Sequence, residues 1–238
     1  MTQFNSDKFI PAVQELQQFA FSQQGSMSIV RWVGYGLLAL AFFDIIEMLI
    51  PPNFMNPAWE FQTIGALVER VPVPLIGFVL VFFGERYART KLEIPILKFL
   101  SWLTLLFGVL FILLIPLGIV NTVRLNKQSV NQITTLSTQQ ISKAEQLEEQ
   151  VNQATPEQIS NLFKSQGRSL EGKSPEEAKN QLLSQVSQAK AQIKTQAQTT
   201  QSQRDVNLIK NSAKWNLGAL VAAALFISLW KATAWARQ

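Results

Sequence analysis

The chain has 238 residues, 47% of them hydrophobic, a formal charge of +5, and neither Cys nor His. That composition excludes a disulfide framework, a thiolate nucleophile, a Cys/His metal site and any mechanism that needs an imidazole. Of the excess charge about +4, twelve Lys/Arg against eight acids, is spread thinly over residues 124–214; this is a solvated surface with mild attraction to anionic lipid or glycan, and it argues against nucleic-acid binding.

The apolar residues gather in three blocks near 27–50, 71–123 and 215–235. Uninterrupted runs of that length need an apolar solvent, so the pattern predicts an all-α membrane protein with about four transmembrane helices. Ahead of the first block, residues 1–26 form a cytoplasmic amphipathic segment, with Phe9, Val13, Leu16 and Phe19 as a stripe around Pro11. The stripe rests on the membrane face or binds a partner helix. With Asp7 and Glu15 against Lys8 it lacks the basic character of a strong lipid anchor.

Residues 27–123 hold the first three spans. Span one, 29–50, is too long for a signal peptide and ends in Pro51-Pro52 instead of a small-residue cleavage site. In the 51–70 connection, Asn56-Pro57 opens a helix near 57–70, with Phe61, Ile64 and Val68 on one face; it lies flat on the outer interface or packs as an ordinary connection. The next run, 71–84, is short, and Pro72 and Pro74 crowd its start. A re-entrant segment competes with a span here. The span is favoured, because Tyr87 and Ala88 lengthen it if Arg86 snorkels. Span three is 99–120 and contains Pro116, a candidate kink. The remaining span and a cytoplasmic tail occupy 214–238.

Lys and Arg in short loops set the orientation. Arg86, Arg89, Lys91 and Lys98 mark the 85–98 loop as cytoplasmic, and Arg31, Lys231 and Arg237 agree. Both termini are then cytoplasmic and residues 124–213 lie outside. Trp32, Trp102, Trp230 and Trp235 belong near one interface, Trp59 and Trp215 near the other.

Residues 124–213 predict a long extracytoplasmic antiparallel helical hairpin of coiled-coil character. On the first arm, Val123, Val130, Ser137, Ala144 and Val151 repeat every seven residues, and Asn126, Ile133, Gln140, Leu147 and Ala154 follow three later. Thr155-Pro156-Glu157-Gln158 and Ser174-Pro175-Glu176-Glu177 are helix starts with complete capping boxes. Gly167 and Gly172 suit the turn between them. The second arm begins with Leu182, Val186, Ala189 and Ile193 and weakens through Gln196, Thr200 and Gln203; Val206 and Ile209 restore apolar character. An arm of about thirty residues reaches ~45 Å at 1.5 Å per residue. Its Gln-rich middle buries little apolar surface, so it is either a plain spacer or a partner-binding element, and polar seam positions favour the latter.

Asp44 and Glu47 are the most unusual side chains, sharing a face at i and i+3, with Asp44 roughly 10 Å inside the apolar layer by helical rise. They belong either to an ion or proton pathway or to a structural charge pairing with Arg70, Arg124 or Lys214. The pairing is favoured, since spans two and three offer only Ser101 and Thr104 as further polar groups, both near the cytoplasmic end. Gly218 and Ala222, with Ala219, Ala223, Ala224 and Ser228, form small-xxx-small patterns for helix packing. There is no phosphate loop, nucleophile elbow or cofactor motif, and the expectation is no enzyme, no cofactor and no catalytic residue.

Gly34-Tyr35-Gly36-Leu37-Leu38, Phe43-Asp44-Ile45-Ile46-Glu47 and Ile50-Pro51-Pro52 resemble the cyanobacterial HpsJ family, named for hormogonium polysaccharide secretion. Met55-Asn56-Pro57-Ala58-Trp59-Glu60, Val71-Pro72-Val73-Pro74 and Ile115-Pro116-Leu117-Gly118 extend the likeness over roughly 34–118. The resemblance carries over no catalytic residue. It implies an accessory role near polysaccharide export, in the plasma or thylakoid membrane. The sequence reading is therefore a membrane scaffold or accessory subunit, in contact with lipid, whose hairpin binds a protein partner or a second copy. The rivals are a small channel or transporter using Asp44 and Glu47, and a sensor without a visible output domain.

Overall fold

The computed structural model describes the backbone of residues 6–84, 89–165 and 174–238, and the side chains of 25–84, 89–161 and 174–238. The side chains of the Phe9, Val13, Leu16 and Phe19 stripe, the loop residues Arg86, Tyr87 and Ala88, and the Gly167–Gly172 turn lie outside what the structure describes. The described regular structure is helical: α1 (Ser6–Leu49), α2 (Pro57–Arg70), α3 (Pro72–Phe82), α4 (Glu93–Gln153), α5 (Pro156–Ser165) and α6 (Pro175–Ala232), closed by a 3-10 turn at Ala234–Ala236. Four stretches are long and apolar enough to cross a membrane: Gly25–Leu49, Pro57–Phe82, and parts of α4 and α6. Contacts divide the chain into two compact units, Met1–Thr122 with Asn211–Gln238, and Val123–Lys210.

The second apolar stretch corrects the short span expected at 71–84. Val71 keeps helical angles (φ −49°, ψ −39°) between α2 and α3, and its carbonyl accepts from Leu75 N at 3.1 Å. Pro72 and Pro74 lack the N–H groups that would complete the ladder, but they sit in the first turn of α3, where those donors have no partner anyway. The result is 26 residues of nearly continuous helix, Pro57–Phe82, so the length shortfall disappears without any contribution from Tyr87 and Ala88. Asn56 opens it, its Oδ1 accepting from Ala58 N at 3.0 Å. α4 continues through Pro116 without a break.

The first unit is held by aromatic rings and close backbone approach. Phe78 and Phe226 are almost fully buried, with centroids 6.1 Å apart and edge to face, and Phe107 and Phe111 close on Phe226 at 5.5 and 5.8 Å. A Cβ on Gly34 would lie 2.8 Å from Val81 N and 2.9 Å from the Gly77 carbonyl. Only hydrogen side chains permit α1 and α3 to approach so closely, and in an apolar solvent such shape fit replaces the hydrophobic drive.

The second unit pairs two helical segments antiparallel. Arg204 donates to Ser129 Oγ at 3.4 Å, Lys190 to Glu148 at 2.8 Å, and Lys179 to the Asn152 carbonyl at 2.6 Å. At the α5 end, Val151, Ile159 and Ala178 form a small buried cluster with Ala154, Leu182 and Leu183 against it. Both capping boxes form: Thr155 N donates to Gln158 Oε1 (3.0 Å) and Gln158 N to Thr155 Oγ1 (3.4 Å). Ser174 N donates to Glu177 Oε2 (3.0 Å) and Glu177 N to Ser174 Oγ (3.2 Å).

The seam differs from the heptad expectation. Val130, Ser137, Ala144 and Val151 are at least half-buried, but Gln140 and Leu147 are exposed and Ile141 and Glu148 take their place. The inward positions run 130, 133, 137, 141, 144, 148, 151. From 130 to 151 the row at every seventh residue is kept, and only the second row moves, by one residue, from Gln140 and Leu147 to Ile141 and Glu148. On α6, Ala189, Val206 and Ile209 are exposed and Lys190, Asp205 and Leu208 turn inward.

Candidate functional site

Within the first unit, α1, the α2–α3 junction, α4 and α6 enclose a groove of about 220 Å³. Ala41, Ile45 and Met48 line it from α1, Val71 and Pro74 from the junction, Phe107, Leu110 and Phe111 from α4, and Phe226 from α6. Helical spacing puts Ala41, Asp44, Ile45 and Met48 on one face of α1.

Two charged residues join this apolar lining, Asp44 and Arg70. Arg70 lies in the last turn of α2, just ahead of Pro72 and Pro74, which supply no N–H to the carbonyls there. Its Nη1 donates to the main-chain carbonyl of Asp44 at 3.2 Å. The guanidinium thus fixes α2 against α1 through the backbone and leaves the Asp44 carboxylate uncommitted: among the described residues no ion pair involves it. The structure therefore brings Asp44 and Arg70 together, but not as the carboxylate–guanidinium pair expected. Glu47 is exposed and does not line the groove. Arg124 falls in the other unit.

Lys214, the other expected partner, is taken by Glu69 at 2.6 Å, and Trp215 Nε1 donates to the same carboxylate oxygen at 3.1 Å. Sequence reasoning passed over Glu69. The available signal was its place beside Arg70 at the edge where the last apolar block also begins. Around this latch, Phe61 packs on Trp215 at 4.6 Å, and a Cβ on Gly65 or Gly218 would strike Trp215 or Val68 respectively. Gly218 thus receives α2, and Ala222 is buried one turn on.

At the other end of the unit, residues first read as orientation signals and interface markers form one polar cluster. Ser101 Oγ and Thr233 Oγ1 lie 2.8 Å apart. Arg237 Nη1 donates to Ser101 Oγ at 2.6 Å and to the Trp230 carbonyl at 2.7 Å, with its guanidinium 4.4 Å over the Trp230 ring. Arg31 Nε donates to the Phe83 carbonyl at 3.1 Å, and Arg89 to the Val81 and Phe83 carbonyls at 2.8 and 3.3 Å. These guanidiniums satisfy the carbonyls that the end of α3 leaves without helical partners. Gly84, with φ +77°, lets the chain turn beneath Arg31.

In the second unit, the charge contacts centre on Lys190, which meets Glu148 and, at 3.6 Å, Glu145. The hydrogen bond to Glu148 holds the Lys190 ammonium above the usual lysine range. Leu136 and Leu147 are left facing outward, 59% and 49% exposed. Eleven residues apart, they fall on one side of α4.

Among known proteins, the family model described as HpsJ-like protein matches residues 25–234. No curated protein and no solved structure matches the chain.

Proposed function

The chain belongs to the HpsJ-like family, and from that membership we propose that it is a non-catalytic membrane scaffold or accessory subunit, linked to polysaccharide export. Its helical hairpin lies on the extracytoplasmic side and binds a protein partner or a second copy of the chain. The reading of sidedness rests on Arg86, Arg89, Lys91 and Lys98 in one short loop, which the positive-inside rule assigns to the cytoplasm.

The observation that carries partner binding is the outward Leu136–Leu147 face, exposed on the arm beside a seam that already runs through Val130, Ile133, Ile141, Ala144 and Val151. A helix that spends its leucines outside its only described pairing has apolar surface in reserve. A photo-crosslinking amino acid at Leu136 or Leu147, used in native membranes, should capture one defined protein or a dimer of the chain. Capture of lipid alone, or none, would count against the scaffold. Because the natural chain lacks Cys, sidedness is read cleanly with Ser165→Cys, which should react with an impermeant reagent from outside, and Thr90→Cys, which should not.

A small channel using Asp44 and Glu47 is the rival. The two carboxylates do not share the groove, and beyond Asp44 the lining is the Phe107, Phe111 and Phe226 cluster, which offers an ion no ligand. Ion flux in liposomes that vanishes on Asp44→Asn would reverse this judgement.

A further inference from the structure

The groove at the α2–α3 junction has no role in the scaffold reading. Its volume of about 220 Å³ exceeds the ~150 Å³ of an apolar cavity known to take up benzene. Most of its wall is aliphatic or aromatic, and it belongs to a unit whose outward surface is apolar on every long helix. A dissolved metabolite is therefore a poor occupant, whereas the hydrocarbon tail of a lipid reaches the groove without leaving its solvent.

The rim decides the headgroup. Asp44 contributes one carboxylate, which accepts hydrogen bonds, and Arg70 contributes a guanidinium with donors beyond the one given to the Asp44 carbonyl. Their formal charges cancel. An anionic headgroup would gain Arg70 but meet Asp44, and a cationic one the reverse. A zwitterionic headgroup matches both signs only by stripping water from two full charges. Neutral hydroxyls donate to the carboxylate and accept from the guanidinium at once, and hydrogen bonds to charged partners are the stronger ones. We propose that this groove binds a sugar-headed lipid, its chain lying between Ile45, Met48, Pro74 and Leu110 and its hydroxyls bridging Asp44 and Arg70.

The test uses the full chain in phosphatidylcholine nanodiscs. Three lipids with the same diazirine-bearing acyl chain are compared: a monoglucosyl diacylglycerol, a phosphatidylcholine and a phosphatidylglycerol. Adducts are mapped by mass spectrometry. The glucolipid should label peptides containing Ile45, Met48 or Leu110 about tenfold more than either phospholipid, a preference equivalent to ~1.4 kcal/mol. Unlabelled glucolipid should compete the signal away. Asp44→Asn, which keeps the size of the side chain, and Arg70→Gln should each bring the preference down towards that of phosphatidylcholine. Ala41→Phe should block labelling by all three. If that variant fails to fold, competition on the natural chain still decides. Equal labelling by the three headgroups, or preference for phosphatidylglycerol, would overturn the assignment. The outcome is separable from the hairpin reading, because replacing Leu136 and Leu147 should leave lipid preference unchanged.

Discussion

The two units of this chain solve the same problem, holding helices together, with different means. In the first, contact is made by rings and missing side chains: Phe78 against Phe226, Gly34 against Gly77. In the second, the ends are defined by capping boxes, the tip by Val151, Ile159 and Ala178, and the length between by polar contacts such as Lys190 with Glu148. The contrast is the one expected of apolar helices able to cross a membrane and a polar pair of arms in water. Where hydrocarbon surrounds a helix, burying one more leucine gains little, so fit and dispersion decide. Where water surrounds it, apolar burial is effective, but the Gln-rich arms concentrate it at one end.

The contrast can be broken most severely at Phe226. Phe226→Ala removes the ring that Phe78, Phe107 and Phe111 share and should cost ~3 kcal/mol or more, read as a lower thermal midpoint in detergent. Its effect should be confined to near-UV signals from the first unit. Ile159→Ala is the counterpart in the hairpin. Ile159 is only 2% exposed, and its loss should cost ~2 kcal/mol, detected as faster amide exchange around residues 151–159 and 178–183. An equal loss of protection in α1 and α3 would show that the units do not unfold separately.

Ser174→Ala deletes one half of a capping box and should cost ~1 kcal/mol, visible as fraying of the first turn of α6 in exchange measurements. Lys190→Gln should have the smallest effect, because the pair it breaks is half-buried at the edge of the seam and still screened by salt. Its pH signature has a definite sign. The folded Lys190 pKa lies above its unfolded value, so the pair's contribution is complete at neutral pH. It is lost as pH rises through the folded value, above the ordinary lysine range. Stability whose fall across that alkaline range is the same with and without Lys190 would contradict this.

The helical class, the four apolar stretches and both capping boxes were legible in the sequence because each depends on neighbours along the chain. Composition over twenty residues identifies a helix able to cross a membrane, and Thr155–Gln158 or Ser174–Glu177 is a local exchange of hydrogen bonds. The seam was only half legible. From Val130 to Val151 the first row faces inward as read, but Val123 and Asn126 at the start of the two rows are exposed, and the second row shifted from Gln140 and Leu147 to Ile141 and Glu148. Which residue of a neighbouring pair turns inward depends on how the facing arm packs, and one strand's residues do not declare it.

The charged residues show the division most clearly. Sequence placed Asp44 inside an apolar run and named Arg70, Arg124 and Lys214 as partners. The structure gave Lys214 to Glu69 and joined Arg70 to the Asp44 backbone, not its carboxylate. The choice among several cations for one acid depends on which helices touch and at what height. Periodicity determined which residues share a face; which faces meet, and so which groups line the groove at the α2–α3 junction, was decided only by tertiary packing through Gly34, Gly77 and the phenylalanine cluster. Those contacts join residues far apart in the chain, and no local pattern encodes them.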